Sequence, residues 1–140
     1  AELRRMQEGG CEKHTTRQPC AVEPHQPAGF RYLAANVLTE GGNTFFPATA
    51  IRQLGPVKVG FIGMTLKETA SLVTPAGVAG LTFADEAATA NALVPKLKAE
   101  GADAIVLLIH QGGRVPPVYR TLGCEGLSGE IVPILEKLDP

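Results

Sequence analysis

The 140-residue chain has no excess of charge of either sign: 13 Lys and Arg stand against 14 Asp and Glu, for a formal net charge of −1. That balance gives no electrostatic case for nucleic acid or an anionic membrane surface as a partner. No apolar stretch approaches the roughly 20 residues needed to cross a bilayer, so no membrane span is expected. The phosphate-binding loop pattern is missing, and so is G-x-G-x-x-G; Gly60-Phe61-Ile62-Gly63 reads only as a strand with small residues. There are no internal repeats and no low-complexity tract. Nor is there a signal peptide, and the chain opens Ala1-Glu2-Leu3 rather than with Met, which leaves its true N-terminus open.

Cysteine is scarce, with three in all. Cys11 and Cys20 bracket a polar loop, Glu12 to Pro19, within a Pro-rich surface loop insertion at 10–29. A disulfide between them would close a small loop and suit an oxidising compartment. Two alternatives stay open: a metal site shared with His14 and His25, or two unrelated surface thiols. The spacing departs from the short C-x₂₋₄-C knuckle of structural zinc. Without C-x-x-C, a thiol redox protein is disfavoured. Cys124 is left over, either free or paired outside this chain.

What is present suits one globular domain spanning 1–140, with 44% apolar and 19% charged residues. Glu2 to Glu8 reads as helix ended by Gly9-Gly10. Phe30 to Val37 reads as a strand, and Glu40-Gly41-Gly42-Asn43 as a turn. Ala48 to Leu54 and Val57 to Met64 predict a hairpin through Gly55-Pro56. The second of these is apolar on both faces and belongs inside the sheet. Thr65 to Thr74 fits either a short helix or an irregular lid. Ala84 to Glu100 is the clearest helix, with Ala90, Leu93, Val94 and Leu97 on one stripe and Pro95 set to kink it. Ser128 is expected to cap a last helix whose stripe is Ile131, Ile134, Leu135 and Leu138. Strand, helix and strand in this order make a βαβ crossover with a parallel pair. A further strand should follow such a helix, and both ends of the chain read as cut short of that architecture.

The feature that points to chemistry is the run Asp103 to Gly113, Asp-Ala-Ile-Val-Leu-Leu-Ile-His-Gln-Gly-Gly. It predicts a fully buried strand that delivers one imidazole, His110, to its C-terminal edge, where ligands and metals collect in open α/β sheets. Gln111-Gly112-Gly113 then lets the chain turn away at once. A strand-end histidine standing alone is more often a hydrogen-bonded surface residue than a ligand.

Tyr32-Leu33-Ala34-Ala35-Asn36-Val37, Val57 to Thr65 with Glu68-Thr69, and Ile105 to Gly113 follow one another in a familiar order. With Gly126 to Val132 and Leu138-Asp139-Pro140, they make the chain resemble the middle of the metallophosphoesterase domain of the 5′-nucleotidase family, within the calcineurin-like superfamily. The resemblance implies a mixed, largely parallel sheet flanked by helices, part of a four-layer αββα sandwich. It implies a secreted or periplasmic hydrolase of nucleotide or other phosphate esters, working through two divalent metal ions; Mn, Zn, Mg, Ca and Fe are not distinguished. Of the family's metal motifs, D-x-H, a bridging Asp, G-N-H-[DE], a lone strand-end His and G-H-x-H, only the lone His has a match, and it is His110. The others are missing here, so the isolated chain is expected to hold no metal tightly and to lack activity, since catalytic sites need about three protein ligands per ion.

The remaining candidates carry less. Asn36 at a strand end could face the cleft, but a turn-forming role suits it better. Asp85-Glu86 opens a helix, where acidic groups complement the dipole. Asp103 reads as a turn residue, Arg114 as a loop cation that could meet a phosphate, and Tyr119 as packing near Pro116-Pro117. The competing functional reading is a non-catalytic α/β binding or interaction module that shares only the βαβ pattern. A sheet with bare edges also predicts a homodimer.

Overall fold

A computed structural model describes residues 2–11, 25–116 and 123–139. The chain divides into two compact units, Ala1–Tyr32 and Leu33–Pro140.

In the first unit, helix α1 (Glu2–Glu8) ends where the Gly9 amide donates to the Arg5 carbonyl at 2.7 Å. Arg5 also reaches forward to the Gly10 carbonyl, at 3.0 Å. Gln7 is buried, donating to the Phe30 carbonyl and accepting from the Tyr32 amide at 2.7 Å. One amide side chain thus ties the helix to a segment some 25 residues away.

The second unit holds two sheets. Strands β1 (Val37–Thr39) and β4 (Leu81–Phe83) form an antiparallel pair. Strands β2 (Thr49–Leu54), β3 (Val57–Met64) and β5 (Ala104–Ile109) form the other, in the order β2-β3-β5. The hairpin expected at Gly55-Pro56 is there: Leu54 faces Val57, and Gly55 takes a φ of +60° that a side chain would resist. β3 then pairs parallel with β5, Val59 opposite Ala104 and Met64 opposite Ile109. The fold is therefore mixed α/β, with sheets flanked by helices.

Helix α3 (Glu86–Ala99) makes the crossover, and its ends explain its length. The Asp85 carboxylate accepts from the Ala88 amide at 3.0 Å, capping the first turn. Gly101, at positive φ, closes the last. Pro95 sits inside the helix on an exposed face, and it lacks the amide that would otherwise bond the Asn91 carbonyl. Ala90 and Leu97 are buried beside Ile62, Met64 and Ala35, and Ile62 is fully inaccessible. Leu97 lies over Gly60, where an added Cβ would meet its methyls at 3.1 and 3.3 Å.

Three expectations need correcting, and one strand carried no expectation at all. Phe30 to Val37 is not a strand: β1 begins only at Val37, because Ala34 and Ala35 donate to Pro47 and Gly63 across segments instead of along a ladder. Leu81–Phe83, unmarked by any apolar run, is a strand through its pairing with β1. The last helix, α4, spans Ile131–Glu136 without a side-chain cap. Ser128 is used otherwise, in a backbone pair with Arg114. Finally, β5 is not buried on both faces. Val106 and Leu108 are 38% and 49% exposed, because α3 covers only the face of Ile105, Leu107 and Ile109 among the described residues. The region Thr65 to Thr74 resolves into a four-residue helix, α2 (Thr69–Leu72), with no buried residue.

Candidate functional site

The C-terminal ends of the parallel pair β3–β5 define the edge to which the sequence pointed. His110 follows the last registered pair, Met64 and Ile109, and is exposed. Beyond it the chain turns tightly: the Gln111 side-chain oxygen accepts from the Gly112 amide at 2.9 Å. Gly113 then passes so close to the following segment that a Cβ there would lie 2.8 Å from Ile131 Cγ2, Leu127 Cδ1 and the Ser128 carbonyl. Arg114 and Ser128 exchange backbone hydrogen bonds at 2.8 and 2.9 Å, and Ile131 donates to the Gly112 carbonyl at 3.2 Å. Glycine is needed here because two backbones share the space of one side chain.

Two hollows adjoin this turn. One, of about 270 Å³, is lined by Gly112, Gly113, Arg114, Ser128 and Gly129. The other, of about 130 Å³, lies between the N-terminus of α3 and α4, with Lys67, Gln111, Glu130 and Lys137 among its lining residues. His110 lines neither.

Asp85 and Glu86 do different jobs at the head of α3. The Asp85 carboxyl is held below its usual range by the Ala88 amide first and by Lys67 second, whose ammonium is 3.2 Å away. Glu86 is 3% exposed, and its carboxylate accepts from the Lys67 amide at 2.8 Å. Both acids therefore fasten the segment that leaves β3, a role beyond complementing the helix dipole.

Asn36 was underrated by the sequence. It is fully buried, donating to the carbonyls of Thr65 at 2.6 Å and Ala84 at 3.0 Å and accepting from the Thr65 amide at 2.8 Å. It forms no turn with its neighbours; it joins three strand ends. Asp103 likewise acts across the sheet, its carboxylate accepting from the Lys58 amide at 2.8 Å where β3 and β5 begin.

The other candidates are dispersed. His25 is exposed in the first unit, its backbone paired with Gly10. Arg114 is exposed. Cys11 is disulfide-bonded, and Cys124 is a free, exposed thiol. His14, Cys20 and Tyr119 lie outside the described residues. Among the described residues no three His, Cys, Asp or Glu side chains gather as a metal site would require. The described residues therefore do not by themselves fit a tightly held metal ion, and no catalytic step follows from them alone.

No family model matches the chain. It is 33% identical to the solved structure of the calcineurin-like phosphoesterase YfkN from Bacillus subtilis, with a TM-score of 0.55 over 61% of this chain and 28% of that one. Against a putative 5′-nucleotidase from Staphylococcus aureus the TM-score is 0.60 at 26% identity, over 77% of this chain and 21% of that one. The chain resembles the 5′-nucleotidases and calcineurin-like phosphoesterases. Its mixed α/β architecture is that of their metallophosphoesterase fold. The cell wall protein Lmo0130 of Listeria monocytogenes is 34% identical over 84% of the chain, and the match spans only 16% of that protein's length. No helix among the described residues is long and apolar enough to cross a membrane.

Proposed function

We propose that this 5′-nucleotidase-like chain is the part of a metal-dependent phosphoesterase domain that presents His110 as one metal ligand, with residues 10–29 as a surface insertion. The observation that carries the reading is the placement of His110. It follows the parallel pair β3–β5 of a phosphoesterase-like fold, at the edge where such sheets bind ligands. The remaining ligands would come from protein outside this chain, completing a site for two divalent ions. Such ions activate water against a nucleotide or related phosphate ester. The likeness to a cell wall protein supports a location outside the cytoplasm. Self-association through the free edges of the sheet belongs to the same proposal.

The expected outcome for the isolated chain is no turnover of 5′-AMP or bis(p-nitrophenyl) phosphate above background with Mn²⁺. In a longer natural protein containing it, His110→Ala should lower kcat/KM by more than the ~10–100-fold typical of outer-shell partners. Turnover by the isolated chain that vanishes in His110→Ala would overturn the first expectation. Unchanged kcat/KM in the longer protein would overturn the ligand assignment. The competing reading is a non-catalytic binding module, and a longer natural protein with no phosphoesterase turnover at all would favour it.

A further inference from the structure

We infer that Asn36 is a positioning residue for the edge that carries His110. This deepens the proposal above and rests on it only in taking that edge as the ligand side of the fold.

The geometry is specific. Asn36 immediately precedes β1, Thr65 immediately follows β3, and Ala84 immediately follows β4. One carboxamide thereby ties together ends from both sheets, β1–β4 and β2–β3–β5. Both side-chain N–H groups donate, the side-chain oxygen accepts, and the Asn36 backbone carbonyl also accepts from the Ala84 amide at 2.8 Å. No other side chain of this size supplies two donors and an acceptor from one planar group. The segment before it is pressed onto the same strand end. Ala35 donates to the Gly63 carbonyl at 2.7 Å, and a Cβ on Gly63 would collide with Leu33.

This clamp acts at the strand position next to His110. Gly63 faces Leu108 and Met64 faces Ile109 in the parallel register, so Thr65 and His110 are the next residues out on the two strands. Thr65 is held through both its amide and its carbonyl by Asn36. Two residues on, the Lys67 amide is held by buried Glu86. Of the two strands at this edge, β3 is therefore fixed from outside the ladder. β5 leaves through a Gln-Gly-Gly turn that is fastened in its own right, at Gly112 by the Ile131 amide and at Gly113 by the crossing with Ser128. The direction in which His110 leaves the sheet is set on one side by that turn and on the other by the ladder to β3, whose end Asn36 holds. A buried group with both N–H donors and its oxygen engaged, far from its partners in sequence, is suited to this because few other orientations would satisfy it.

The test follows the His110 ring and the Gly112 amide by ¹H–¹⁵N spectroscopy of the 140-residue chain, with the ring assigned through His110→Gln. Asn36→Ala should displace both resonances by more than a linewidth. Leu97→Ala, a core truncation beneath Gly60 toward the other end of the sheet, should leave them in place. Asn36→Asp keeps the acceptor but loses the donors while ionised. Its displacement should shrink, relative to wild type at the same pH, as the pH falls and the protonated acid regains an O–H donor. If Asn36→Ala does not fold, the Asp variant decides alone. Resonances that superimpose on wild type in the Asn36 variants, or that move equally in Leu97→Ala, would overturn the inference. The readout needs neither metal nor turnover, so it succeeds or fails independently of the phosphoesterase reading.

Discussion

The two ends of the β3–β5 pair are fastened in different ways. At the N-terminal end the pair closes on itself: Asp103 and Lys58 exchange a backbone hydrogen bond of 2.8 Å and a carboxylate–amide bond of the same length. Nothing beyond the two strands is needed. At the C-terminal end the fastening comes from elsewhere, through Asn36 and Glu86 for β3 and through the Gly113 crossing for β5. That end leaves His110 exposed, whereas the other commits its polar side chain to the ladder. The end that leaves His110 exposed is the one held from behind.

The comparison can be broken by substitution. Gly113→Ala should cost about 1–3 kcal/mol, because its Cβ meets a backbone carbonyl as well as two side-chain carbons and the crossing cannot simply yield. Asp103→Ala, removing one exposed hydrogen bond, should cost about 1 kcal/mol or less. Urea titrations of both variants would check the order; equal losses would mean that the two ends are built with similar tolerance.

A smaller effect separates the ends by pH. Asp85, at the head of α3 near the C-terminal edge, has its carboxyl lowered by the Ala88 amide and by Lys67. A lowered folded-state value means that its contribution is present above the unfolded-state range and is lost as pH falls through the folded value. With the side chain 38% exposed, the expected size is a fraction of a kcal/mol after solvent screening. Thermal melts between neutral and acidic pH should show Asp85→Asn with a flatter pH dependence than wild type. An identical dependence would remove Asp85 as a source.

Much of the fold could be read in advance where the signal is local. Gly55-Pro56 between two apolar runs marks the hairpin, and the stripe from Ala90 to Leu97, with Asp85 before and Gly101 after, marks α3. The placement of His110 beyond the end of its strand was likewise legible, because the apolar run stops there. What escaped depends on distant partners. Asn36 acts through residues 29 and 48 positions away, and no neighbouring residue announces that. β4 is a strand only because β1 lies beside it. The exposure of Val106 and Leu108 could not be read from an unbroken apolar run, because such a run is the same whether one face or both are covered. Ser128 illustrates the reverse error: a good capping residue was drawn into the backbone pair with Arg114.

The order β2-β3-β5 also bears on how the chain reaches this state. β2 and β3 meet across a two-residue turn, while the bond from Asp103 to Lys58 spans 45 residues. Closing the longer loop carries the larger entropic cost, and contacts of that separation come late. The strand that ends up innermost is therefore expected to begin as an edge, paired on one side and waiting on the other. Pulse-labelled hydrogen exchange should find amides of the hairpin protected before those of β5; simultaneous protection would show that the crossover forms in a single step.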